Sequence, residues 1–130
     1  MRVIADGLVN LYTRDIEAGI HFYRDLLGLA ETFRTPAEGT PSHVEFRAGG
    51  FTLGLGTVEA AASVHGVTAE PGRPAMALTF WTDDVDREFA GLVAAGVPAL
   101  IPPHDAGNNN RTALLADPEG NLVEIVSKVG

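Results

Sequence analysis

The chain has 130 residues, nine Lys plus Arg against seventeen Asp plus Glu, and a formal net charge of -8. That length suits one compact domain or two small modules sharing a core, and an acidic balance without a basic cluster excludes a phosphate-reading nucleic-acid binder. The lack of any cysteine excludes disulfides and sulfur-ligated zinc, and no apolar run approaches the roughly 20 residues that a membrane span requires.

The opening residues, Met1-Arg2-Val3-Ile4-Ala5-Asp6, lack the apolar stretch and small-residue cleavage site of a signal peptide, which points to the cytoplasm. Val9, Leu11 and Thr13 then alternate with Leu8, Asn10 and Tyr12, the period of a strand with one face on a core. Asp15 stands where a helix N-cap belongs, with Glu17 in the first turn facing the positive end of the helix dipole. Ile16, Ile20, Tyr23 and Leu27 recur at helical spacing, and Gly28 stops the helix. Three strands follow, at roughly 29–35, 42–48 and 51–58, with Gly49-Gly50 as a tight turn.

A stretch rich in Ala, Gly and Pro, from about Glu59 to Pro74, reads as a linker. The pattern then repeats. Met76, Leu78 and Phe80 alternate with Ala77, Thr79 and Trp81. Asp84 takes the place of Asp15, 69 residues on. Val85, Phe89 and Leu92 follow at helical spacing, and Gly96 ends the helix. Strands are expected at roughly 98–101, 110–116 and 121–127, with Asp117-Pro118-Glu119-Gly120 as a turn. Residues 102–111, with three consecutive Asn, read as a polar loop. The fold class is therefore α+β: two tandem βαβββ modules, about 7–58 and 75–127, within one domain spanning 1–130.

Asp15-Ile16-Glu17 with Phe22-Tyr23-Arg24-Asp25-Leu26-Leu27-Gly28-Leu29, and Asp117-Pro118-Glu119-Gly120-Asn121 with Glu124, resemble the first-helix and closing-hairpin signatures of the vicinal oxygen chelate superfamily. That superfamily holds glyoxalase I, bleomycin resistance proteins, fosfomycin resistance enzymes and extradiol dioxygenases. The resemblance covers about Gly7 to Ser127. It implies a mixed sheet curled around a concave cleft, helices on its outer face, usually in a homodimer, and a bacterial source is expected. It does not imply an activity, because one fold hosts many functions.

In the metalloenzymes of the superfamily four cleft positions supply the metal ligands. Carried onto this chain they fall on Leu8, Gly54, Ala77 and Glu124. Three of these have no donor, whereas a zinc site needs three or four ligands near 2 Å. The expectation is no metal and no cofactor, with an unorthodox site built on His43 and Glu124 as the exception.

The same register assigns a ligand-binding wall of Asn10, Tyr12, His43, Glu45, Arg47, Thr79, Trp81 and Glu124, and Arg111 joins the candidates from the polar loop that would rim such a cleft. Aromatic rings among small and polar residues suit a small-molecule pocket. Trp81, the only Trp, either stacks on a planar ligand, attracts a cation for about 0.5–2 kcal/mol, or covers a core edge or dimer contact. A desolvated Glu124 must be hydrated, paired with Arg47 or Arg111, or protonated; it serves as ligand group, general base or structural acceptor.

These features point first to a metal-free binding protein of the bleomycin-resistance type, sequestering an aromatic, cationic small molecule such as an antibiotic. The alternative is a glyoxalase-like lyase, isomerase or dioxygenase, metal-independent or with an unorthodox metal, using His43 or Glu124 as acid or base. No nucleic acid, membrane or protein-binding groove is expected among its partners.

Overall fold

Two repeats of strand, helix and three strands make up the computed structural model, which describes residues 7–72, 76–107 and 109–129. The opening hexapeptide, residues 73–75 at the junction of linker and second module, Asn108 of the expected polar loop and Gly130 lie outside the described residues. The chain divides into two compact units, Met1–Glu70 and Pro71–Gly130. Each carries one four-stranded mixed sheet, so the α+β class and the tandem modules stand. No helix among the described residues is long and apolar enough to cross a membrane.

In unit one, β1 (Val9–Thr13) leads to α1 (Ile16–Ile20), which continues as a π-helix over His21–Leu26. β2 (Ala30–Thr35), β3 (His43–Ala48), β4 (Phe51–Thr57) and α2 (Val58–His65) follow. The sheet order is β1-β4-β3-β2, with β1 parallel to β4 and the other pairs antiparallel. Asp15 caps α1 by accepting from the Ala18 N–H at 3.1 Å, satisfying a donor that the helix start leaves open. Ile16, Ile20, Phe22 and Tyr23 are buried with Leu11, Val44, Phe46, Leu53 and Leu55. Tyr23 meets Phe22 edge to face at 4.8 Å and Phe46 at 6.3 Å. Gly19 lets α1 approach the sheet: a Cβ there would stand 2.8 Å from Leu55 Cδ1.

In unit two, β5 (Ala77–Trp81) and α3 (Val85–Ala94) precede β6 (Ala99–Gly107), β7 (Asn110–Ala116) and β8 (Leu122–Lys128). The order β5-β8-β7-β6 repeats that of unit one. Asp84 caps α3 by accepting from the Arg87 N–H at 3.1 Å. Leu78, Val85, Leu92, Val97, Ala113, Leu115, Val123 and Ile125 form the core. Asp117 ties the β7–β8 turn, accepting from the Glu119 and Asn121 N–H groups at 3.0 and 2.7 Å and from the Asn121 side chain at 2.9 Å. Gly120, at φ 85°, adopts the left-handed conformation that the turn needs.

Three expectations are corrected. The linker contains α2, capped by Thr57 through Ala60 N–H at 3.1 Å, because its Ala run is a good helix former once a cap precedes it. Most of the expected loop at 102–111 is strand: β6 runs to Gly107, with register shifts against β7 that absorb Pro102-Pro103 as a bulge. Met76, expected in the core, precedes β5 and is half exposed.

Candidate functional site

Strand alternation gives each sheet one face on its core and one open face. On the open face of unit one, Asn10 stands opposite Gly54, and Gly54 opposite Glu45. In the next row Tyr12, Gly56 and His43 align. With no side chain on β4 at either glycine, neighbours lean across it. Asn10 Oδ1 occupies the place where a Gly54 Cβ would stand, and His43 Cε1 lies 3.1 Å from that point. The Tyr12 ring lies 3.6 Å from the corresponding point at Gly56. His43 Nε2 and Glu45 Oε2 are 2.9 Å apart, both side chains 25% exposed. Phe33, half exposed on β2, sits with its ring 6.3 Å from that of His43. Arg47 Nε donates to the Gly49 carbonyl at 3.1 Å. A hollow of about 420 Å³ is lined by Gly7, Leu8, Thr32, Glu45, Arg47 and Thr52.

On the open face of unit two, Thr79 stands opposite Glu124 and Trp81 opposite Val126. The Glu124 carboxylate accepts from the Thr79 hydroxyl at 2.9 Å and from the Thr112 hydroxyl at 2.6 Å. Those two donors supply the structural hydrogen bonds anticipated for Glu124. Arg111, one of the cations considered for it, bonds to Asp86 and Asp105 instead. Trp81 is 62% exposed, and Lys128 Nζ lies 5.1 Å from its ring centroid, within cation–π range. Trp81, Thr82, Asp83 and Lys128 line a hollow of about 320 Å³.

Arg111 is set apart from the other expected wall residues. It shares the face of Ala113 and Leu115, which are fully buried against the core, and reaches toward α3. There its Nε and Nη2 hold both Asp86 carboxylate oxygens at 2.8 and 2.9 Å, while Nη1 takes Asp105 at 3.0 Å. This fork holds the Asp86 carboxyl below its ordinary pKa and raises that of the Arg111 guanidinium. Thr112 and Lys128 belong to the open face instead, though neither was expected there. The signal was available: the Asp117 turn sets Thr112 opposite Val126, the parity of Glu124 and Lys128.

The metal that the resemblance implies does not fit these residues. Leu8, Ala77 and Gly54 offer no donor, the space over Gly54 holds the Asn10 amide, and Glu124 is claimed by two hydroxyls. Among the described residues no three His, Cys, Asp or Glu side chains converge as a metal site.

Residues 7–125 match the family model described as Glyoxalase/Bleomycin resistance protein/Dioxygenase superfamily. No curated protein matches the sequence. Solved structures do. A glyoxalase-related enzyme from Fulvimarina pelagi is 30% identical with a TM-score of 0.77, over 97% of this chain and 89% of that one. A glyoxalase/bleomycin resistance protein/dioxygenase family enzyme from Burkholderia phytofirmans PsJN is 26% identical, TM-score 0.79, over 94% and 97%. Lactoylglutathione lyase from Agrobacterium tumefaciens is 25% identical, TM-score 0.68, over 95% and 92%.

Proposed function

The chain belongs to the glyoxalase/bleomycin resistance protein/dioxygenase superfamily, and from that membership we propose that it is a metal-free small-molecule-binding protein of the bleomycin-resistance type. It takes up an aromatic compound, an antibiotic or similar molecule, and acts in the cytoplasm as a homodimer. One observation carries the reading. The positions that hold metal in the chelating members carry Leu8, Gly54 and Ala77, and the Asn10 amide lies across the gap at Gly54. Where those members place donors, this chain has residues without any, which leaves surface that a ligand can cover.

Exposed aromatic rings support the aromatic class. Phe33 and Trp81 are half or more exposed on the sheets, where burying an aromatic face gives about 0.5–1.5 kcal/mol beyond area alone. A cationic ligand finds its partner at Glu45, which lines the hollow of unit one, rather than at Trp81. Lys128 already holds a cation over that ring, so stacking there favours a neutral or anionic planar group.

Native mass spectrometry of protein purified without chelator tests this reading, together with quenching of the single Trp by bleomycin-like, mitomycin-like and quinoxaline compounds. The expected result is a dimer without stoichiometric metal that binds at least one of the panel. A stoichiometric metal, or no binding across the panel, overturns the proposal. The His43–Glu45 contact of 2.9 Å favours a second reading, a metal-independent enzyme related to the glyoxalase-like neighbours. Full activity of His43→Ala and Glu124→Gln proteins on a discovered substrate ends that reading.

A further inference from the structure

His43 lies over the two bare glycine positions of β4. Its Cε1 lies 3.1 Å from the point where a Gly54 Cβ would stand, and its Nδ1 lies 3.9 Å from the corresponding point at Gly56. Its chemical hold is on Glu45: Nε2 is 2.9 Å from Glu45 Oε2. An ionised carboxylate can only accept, so Glu45 makes Nε2 the protonated nitrogen and leaves the lone pair of the neutral ring at Nδ1. Among the described residues Nδ1 takes no hydrogen bond.

A ring whose tautomer is set by a carboxylate, and whose basic nitrogen is unclaimed, has the arrangement of an oriented base. Its surroundings suit a planar partner. The Phe33 ring centroid lies 6.3 Å from that of His43, and the Tyr12 ring and His43 Nδ1 lie 3.6 and 3.9 Å from the point where a Gly56 Cβ would stand. Glu45, besides orienting His43, lines the hollow with Leu8, Thr32, Arg47 and Thr52. At 25% exposure each, His43 and Glu45 are reachable yet sheltered from bulk water, which strengthens a charge-assisted hydrogen bond.

We infer that His43 and Glu45 form a proton-accepting pair on the open face of unit one, selecting an aromatic ligand that carries an acidic hydroxyl, a phenol or hydroxyheteroaromatic. This rests on the small-molecule-binding reading above and names the ligand class. The ligand O–H bond breaks, its electron pair stays on oxygen as the phenolate, and the proton adds to the Nδ1 lone pair. The resulting imidazolium keeps its Nε2–H on the Glu45 carboxylate and its Nδ1–H on the phenolate oxygen. No co-reactant is required. Among the described residues the ionisable groups set against the ring are Glu45 and Tyr12.

4-Nitrophenol is the probe, because its phenolate absorbs at longer wavelength than the phenol. Titration is followed by absorbance and by ¹⁵N and ¹H resonances of the His side chains. Free protein should show His43 with its proton on Nε2. Bound probe should appear as phenolate at a pH where the free probe is still protonated, with His43, and not His21, His65 or His104, moving to imidazolium. Glu45→Gln, near-isosteric, and His43→Phe should each weaken binding about tenfold or more, as expected for one charge-assisted bond, and remove the phenolate band. Glu45→Gln reads the proposal even where His43→Phe fails to fold.

Binding as the neutral phenol, undiminished affinity of a folded variant, or a proton on Nδ1 in the free protein overturns it. If the antibiotic panel binds but the proton of 4-nitrophenol stays on oxygen, this proposal fails alone. If neither panel nor probe binds, the binding reading fails and this falls with it.

Discussion

Glu124 keeps a carboxylate on an open sheet face by taking two threonine hydroxyls, at 2.9 Å from Thr79 and 2.6 Å from Thr112. Thr112 is 5% exposed, so its hydroxyl has little water to fall back on. Thr112→Val conserves shape and removes one donor. It should lower stability by about 1 kcal/mol, read as a fall in the urea midpoint with unchanged slope. The parity of β8 was legible from Val123 and Ile125, which placed Glu124 on the open side. The Thr partner was legible too, by counting back across the Asp117 turn. Arg111 was misplaced for want of the same count: Ala113 and Leu115 are apolar, and an odd-numbered neighbour on β7 shares their face. What no pattern revealed is that Asn10 lies over Gly54. That placement follows from an absent side chain and a cross-strand register, neither of which is a local property of the sequence.

The helices differ in how openly they announce themselves. Both starts were readable, since a short acceptor before an apolar periodic run has one good use at a helix N-terminus. Asp15→Ala and Asp84→Ala each remove a bond of 3.1 Å to a backbone N–H. Each should cost about 1 kcal/mol, and the two costs should add within about 0.5 kcal/mol because the caps share no partner, as measured by denaturant unfolding of the singles and the double. The widening of α1 into a π-helix was not readable. A 3.6-residue period assigns Tyr23 to the buried face and leaves Phe22 beside it ambiguous. Phe22 and Tyr23 are both buried, 3% and 0% exposed, and a wider turn brings two successive aromatic side chains inward. α2 escaped notice for the opposite reason: its Ala-rich run lacks the amphipathic contrast that marks a surface helix.

At the scale of the whole chain, the charge of -8 is partly organised into clamps. Arg111 grips Asp86 and Asp105, and Arg24 and Arg34 grip Glu31, with Arg24 also holding Asp25. The carboxyls of Asp25, Glu31 and Asp86 are held below their ordinary values, first by hydrogen bonds from these arginines. A depressed folded-state value contributes stability that is fully present above the unfolded value, about 4, and is lost as pH falls through the folded one. The melting-temperature gap between wild type and Arg111→Ala should therefore be full near neutrality and close progressively below about pH 4. A gap that persists unchanged at pH 2 contradicts the clamp.

β6 bears on how one copy meets another. Among the described residues it is an edge strand paired only with β7, nine residues long and exposed along nearly all of its length. Such an edge invites a foreign strand to add on, rung by rung. Successive N–H groups of a strand point to opposite edges, so of Pro102 and Pro103 one removes a donor from the free edge of β6 and the other from the β7 side. That gap works against an unbroken run of added rungs along the edge.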